Sequence, residues 1–169
     1  MRVIKPFFIG IIGLFIFSTL LSLLIPSSVK VSRTVIVNDT VSKVYAQVSD
    51  FHNWNNWHPM FVSKDVSVNF LNNGCDVVYN NKTTHLIFQS ADSTSIKFLL
   101  KAEGENDISN EIIVQSVPQQ KVTQVEWRAV TKLHWYPWEK FYAIFIDKMT
   151  GPGYEAALNG LKTFMETAH

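Results

Sequence analysis

Apolar residues follow three patterns along this chain, and each predicts a different kind of element. The first is an unbroken run. Pro6 to Ile25 reads PFFIGIIGLFIFSTLLSLLI, 20 residues without a charge. As a helix rising about 1.5 Å per residue it would span about 30 Å, the thickness of a bilayer's hydrocarbon core. Arg2 and Lys5 precede it; Pro26-Ser27-Ser28, Lys30 and Arg33 follow. A cleaved signal peptide has a shorter apolar region ending in a small-x-small site, whereas this run ends Leu23-Leu24-Ile25-Pro26. A buried core helix would not be apolar on every face over such a length. The expectation is an uncleaved anchor over residues 1–29, with the lipid membrane as its partner through Pro6–Ile25 and one domain over 30–169. Arg2 and Lys5 cluster more tightly than the later basic residues. The positive-inside rule then leaves the N-terminus inside and the domain on the outer, periplasmic or extracytoplasmic side, single-pass.

The second pattern has period two. Val31 to Val37 is rich in β-branched residues and reads as a strand. After Pro59 the alternation returns in short segments: Val62–Phe70, Cys75–Tyr79, Thr84–Ser90, Ile96–Ala102, Glu111–Val117 and Val122–Leu133. Asn72-Asn73-Gly74, Asn80-Asn81-Lys82 and Ala91-Asp92-Ser93 supply turns between them. Strands so closely spaced predict an antiparallel meander.

The third pattern is helical. Val41, Val44, Tyr45 and Val48 recur at i, i+3, i+4 and i+7 behind the capping candidates Asn38-Asp39-Thr40. Phe51 to His58 suggests a second short helix, stopped by Pro59. Near the end, Phe141, Tyr142, Phe145, Ile146 and Met149 predict one buried stripe, and Tyr154, Leu158, Leu161, Phe164 and Met165 another. Gly151-Pro152-Gly153 is expected to separate two helical pieces, Pro152 opening the second.

Composition narrows the possible functions. The chain has 169 residues, 47% hydrophobic, which excludes a disordered chain and fits one domain with an appendage. A net charge of +1 argues against a polyanion binder, so no nucleic-acid partner is expected. Cys75 is the single cysteine, which excludes a disulfide framework and a Cys-rich zinc module. His52, His58, His85, His134 and His169 have no metal-ligand spacing, so no metal and no cofactor are expected. Cys75 has no base beside it in sequence and reads as a small strand residue rather than a nucleophile.

The order is strand, two short helices, meander, long C-terminal helix. Within it stand Asp50 followed by Trp54, Trp57 and Pro59, and a closing Leu158, Leu161, Lys162 and Glu166. Over residues 31–167 this resembles the SRPBCC superfamily of START-like, Bet v 1-like and polyketide cyclase/dehydrase-like domains. The resemblance implies an α+β helix-grip fold. A curved antiparallel sheet of about seven strands would wrap the C-terminal helix, with a cavity between them, to which the N-terminal transmembrane helix is an addition. It also implies hydrophobic ligands, and in some members cyclisation or dehydration.

Candidate site residues follow from that cavity. Trp57, Tyr79, Trp127 and Tyr142 combine large apolar area with a polar tip and are the expected lining, with His85 beside them. The first expectation is a tethered domain binding a small hydrophobic, lipid-derived molecule without catalysis. The second is a cyclase or dehydratase using a cavity acid or base from His85, Glu111, Glu126 or Arg128. By parity Glu126 and Arg128 lie opposite Val125 and Trp127, which favours an outward surface pair. The third is a protein-binding regulatory module presenting the sheet face or the loop His134–Trp138, which could also gate a cavity.

Overall fold

The computed structural model describes residues 4–167; Arg2 and His169 lie outside them. The apolar run begins as helix α1, Ile4–Ser22. It stops before the run does: Leu24 and Ile25 bond back only three residues, to Leu21 and Ser22, and Pro26 follows. Its 19 residues rise about 28 Å, short of the span expected over Pro6–Ile25. Among the described residues no helix is long and apolar enough to cross a membrane. That corrects the expected transmembrane anchor, and with it the single-pass placement of the domain on the outer side.

Strand β1 is Ser28–Val37, followed by α2 at Val41–Ser49. A 3₁₀ turn then covers Phe51–Asn56, its start capped by Asp50, whose carboxylate accepts from the backbone N–H of His52. Pro59 opens helix α3, Pro59–Val62, rather than ending one. Its missing N–H costs nothing in a first turn, where such donors have no helical partner anyway. His58 caps that helix, its Nδ1 accepting from the N–H of Met60 at 3.2 Å.

The meander follows as β2 Val66–Leu71, β3 Gly74–Tyr79, β4 Lys82–Ala91, β5 Ser95–Ala102, β6 Ile108–Ser116 and β7 Thr123–Lys132. All pair antiparallel in one seven-stranded sheet ordered β1-β7-β6-β5-β4-β3-β2. The chain therefore crosses from one edge, β1, through α2, the 3₁₀ turn and α3 to the other edge, β2. The β3–β4 turn places Asn80 and Asn81 at φ 49° and 60°, conformations that asparagine tolerates best after glycine.

Helix α4 is a single element, Pro137–Thr167, running through Gly151-Pro152-Gly153. Pro152 removes one hydrogen bond, and the helix continues through it, held beyond it by the buried Ala157, Leu158 and Leu161. Gly151 has its own reason: a Cβ there would sit 2.1 Å from Nη2 of Arg33. That guanidinium reaches from β1 to Asp147 of α4, with Nη1 at 3.0 Å and Nη2 at 3.2 Å from the carboxylate oxygens. Sheet and helix form the helix-grip arrangement.

The two halves of α4 differ. Ala157, Leu158, Leu161 and Met165 are buried against Val37, Val44, Val48, Trp54, Trp57, Phe98 and Trp127. In the first half the expected buried stripe is instead exposed at Phe141, Tyr142, Phe145 and Met149; Pro137, Lys140 and Ala143 are the buried positions. Of these exposed residues Tyr142 borders a cleft beneath this half of the helix, whereas Phe141, Phe145 and Met149 do not line it.

Candidate functional site: a cleft between sheet and helix

Strand β7 turns alternate residues toward α4: Val125, Trp127, Ala129 and Thr131. Trp127 is large and fills its layer. The next two are small. In register beside Ala129 stands Val31 of β1, and beside Thr131 stands Ile108 of β6. Across from them α4 presents Trp138, Tyr142, Ile146, Thr150 and Tyr154, each four residues after the last, a single row on one helix face. Small strand residues opposite this row leave a cleft of about 690 Å³. Such a volume accommodates a drug-sized or lipid-sized molecule.

The two ends of the cleft differ chemically. At the inner end the ring of Tyr154 stands edge-on to Trp127, centroids 5.3 Å apart. Trp127 is itself fixed, its Nε1 donating to Oδ1 of Asn110 at 3.0 Å, whose Nδ2 donates to the carbonyl of Ile108 at 3.0 Å. Burial pushes the Tyr154 phenol up to about 12, so it is an O–H donor at any physiological pH. Among the described residues that hydroxyl makes no hydrogen bond.

At the mouth sits Glu139. Its carboxylate accepts from Nδ2 of Asn106 and from the backbone N–H of His134 at 3.1 Å, and Nδ1 of His134 lies 3.1 Å away. Burial pushes this carboxyl up, but the bonds from Asn106 and His134 outweigh it, and the net displacement is below the ordinary glutamate range. Glu139 is therefore an anion at neutral pH. Glu105 lines the same mouth, and Trp138 borders it with most of its ring exposed. His134 and Glu139 can orient a polar ligand end or hold a proton between them.

Of the residues singled out from sequence, Tyr142 lines the cleft. Trp57 and Trp127 are core residues, 4% and 3% exposed; Trp57 donates from Nε1 to the carbonyl of Gln47 at 3.3 Å. Trp127 meets the site only through Tyr154. Tyr79 is exposed at the end of β3. His85 lies on the sheet's outer face, Nδ1 2.6 Å from Asp76. Glu111, Glu126 and Arg128 share that face. Arg128 holds Glu126 through two bonds of 2.7 and 2.6 Å, Ser32 donates to Glu126 at 2.7 Å, and Glu111 approaches Arg128 at 3.7 Å. None of these reaches the cleft. Cys75 is 1% exposed, and burial, with Asp76 adding to it, pushes its thiol up to about 12, which suits a core residue. Among the described residues no three His, Cys, Asp or Glu side chains gather as a metal set.

His134 and Trp138, from the loop expected to gate a cavity, border its mouth, while the rest of the lining was not visible in sequence for a definite reason. The row 138-142-146-150-154 is visible only if the helix is taken as continuous, and a break at Gly151-Pro152-Gly153 cuts it between Thr150 and Tyr154. Glu139 and Asn106 carried no signal, because their meeting depends on a loop between β5 and β6 folding over the start of α4.

Residues 28–166 match the protein family described as polyketide cyclase / dehydrase and lipid transport. A search of curated proteins finds no match. Many solved structures share the fold. One is the protein XoxI from Bacillus cereus, 14% identical, with a TM-score of 0.63 over 83% of this chain and 98% of that one. Another is a START superfamily protein from Mycobacterium smegmatis, also 14% identical, with a TM-score of 0.61 over 83% of this chain and 99% of that one. A third, CalU16 from Micromonospora echinospora, is 15% identical with a TM-score of 0.51, over 83% and 77%. At such identities the likeness is one of fold.

Proposed function

This chain belongs to the polyketide cyclase / dehydrase and lipid transport family, and from that premise we propose that it binds a small hydrophobic molecule in the cleft between the sheet and the first half of α4. One observation carries the reading: a cleft of about 690 Å³ whose walls are mainly aliphatic and aromatic, with a few polar groups at its two ends. An apolar ligand there removes the exposed faces of Tyr142 and Trp138 from water, and burial of this kind is worth about 25 cal/mol per Å². The acid or base candidates expected from sequence, His85, Glu111, Glu126 and Arg128, project from the opposite face of the sheet, and the cleft's own His134 and Glu139 stand at its mouth engaged with each other, which favours binding over catalysis.

Blocking the cleft tests this. Ile146 stands in the middle of the α4 row and is only half-buried, so Ile146→Trp adds an indole to the empty space at little cost to the packed core. Native mass spectrometry of the full chain should show a bound apolar species, or uptake of an added one, in the wild type and its loss in the variant. A wild-type protein that neither carries nor takes up such a molecule, or a variant that binds it equally well, would refute the proposal.

A further inference from the structure

We infer that the cleft selects uncharged, oxygen-bearing apolar ligands over carboxylates, with Tyr154 donating a hydrogen bond to the ligand oxygen at the inner end and Glu139 opposing anions at the mouth. This rests on the ligand-binding reading above and adds the ligand's chemical class. The charge balance of the lining is the first observation. Its charged or ionisable residues are Glu105, Glu139, His134 and the two tyrosines, and no Lys or Arg is among them. A fatty acid or other anionic amphiphile would therefore bring its charge to a wall without a compensating cation. The basic residues near the ends are engaged or outside the cleft. Arg33 is paired with Asp147, Nζ of Lys140 donates to the carbonyl of Ile25 at 3.2 Å, and Lys132 lines a neighbouring depression that shares Glu105, Asn106 and His134 with the mouth but does not line the cleft itself.

Glu139 is also fixed. Asn106 and His134 hold it from two sides, so it cannot swing out to make way for a carboxylate. Tyr154 is the complementary observation. Its phenol is largely buried, lines the cleft, keeps its proton and lacks a partner among the described residues, so it offers one donor where a ligand's ester, ketone or alcohol oxygen would end. The hydroxyl keeps contact with solvent, so a ligand oxygen there exchanges its bond to water for one in the less polar surroundings of the cleft.

The test uses the full chain at pH 8 with two probes of equal length, dodecanoate and methyl dodecanoate, titrated by calorimetry. Wild type should prefer the ester. The decisive quantity is how substitutions move the preference, since a change in the ratio is independent of the probes' differing solubility. Glu139→Gln should shift the ester-to-acid ratio toward the acid by about fivefold or more, and Tyr154→Phe should weaken the ester by about fivefold, the worth of one charge or one hydrogen bond. Thermal melts of both variants establish that each is folded. If both variants bind the probes within twofold of wild type, the selectivity is overturned while ligand binding stands. If neither probe binds, or if Ile146→Trp leaves binding unchanged, the underlying reading falls with it.

Discussion

Acidification from pH 7 to pH 4.5 is expected to cost the fold about 2–3 kcal/mol through one side chain, His58. The residue caps α3 from inside the core and is 9% exposed. Its ring lies parallel to Trp54, 7° apart with centroids at 5.1 Å, and is enclosed by Trp57, Phe61 and Trp127 at 5.4, 5.4 and 5.8 Å. Burial alone drives its pKa down from 6.5 to about 4, because an imidazolium among four aromatic side chains has lost its water. Protonation of Nδ1 would also end its acceptance from the Met60 N–H and uncap the helix.

The folded protein thus resists a proton that the unfolded chain accepts readily. The unfolded chain binds more protons between pH 6.5 and 4. His58's contribution is full above pH 6.5 and is lost as pH falls toward 4. Asp92, held at about 2 by the N–H of Thr94 and by the hydroxyl and N–H of Ser95, acts at lower pH, as do Asp50 and Glu126, both below the ordinary carboxylate range. Depressed carboxylates stabilise above their unfolded pKa and lose that effect only below it, so the interval from 6.5 to 4.5 belongs mainly to His58. Urea denaturation at several pH values should show the decline. His58→Asn keeps an oxygen for the Met60 N–H, and should be less stable at pH 7 yet nearly flat across the interval. An equal slope in wild type and variant would remove His58 as the cause.

His58 also shows what the sequence does and does not disclose. Between Trp57 and Pro59 it reads as a turn residue, which is nearly right, since it caps the helix that Pro59 opens. Its burial depends on Trp127, which lies far along the chain on β7. The meander was legible because its turns are written locally. Asn72-Asn73 joins β2 to β3, and at Gly74, φ 143°, a Cβ would stand 1.9 Å from the carbonyl oxygen of Leu86. Parity on β7 correctly put Trp127 inward and the Glu126–Arg128 pair outward. The helix-grip fold followed from such local signals in order. The cleft did not, because it is defined by where α4 parts from the sheet. Its aromatic walls were sought in the conspicuous tryptophans, yet Trp57 is needed to fill the core. The space opens instead where β7 carries Ala129 and Thr131, residues too plain to attract attention. The apolar run at the start was legible as a helix, but not the point at which it ends.

A single methyl group at Gly160 is expected to destabilise the protein by about 2 kcal/mol, against the direction that helix propensity predicts. Replacing an interior helical glycine by alanine ordinarily gains up to about 1 kcal/mol. Gly160 differs because a Cβ there would lie 2.3 Å from the backbone oxygen of Trp57 and 3.7 Å from Cδ of Pro59. That backbone has little room to yield. The N–H groups of Trp57 and His58 both bond to the carbonyl of Trp54, at 3.2 and 2.8 Å, while the Trp57 and His58 rings are set in the core. Either α4 lifts away or the 3₁₀ turn moves, and both disturb the layer around Trp54. Gly153→Ala is the matched control, in the same helix with nothing within 4 Å of its Cβ, and should leave stability unchanged or raise it by up to about 1 kcal/mol. Urea denaturation of the two variants measures the difference. If Gly160→Ala were as stable as Gly153→Ala, α4 could not approach Trp57 this closely. That contact matters beyond stability: it draws the second half of α4 onto the core, so that the row from Trp138 to Thr150 stands off the small residues of β7 and the cleft stays open.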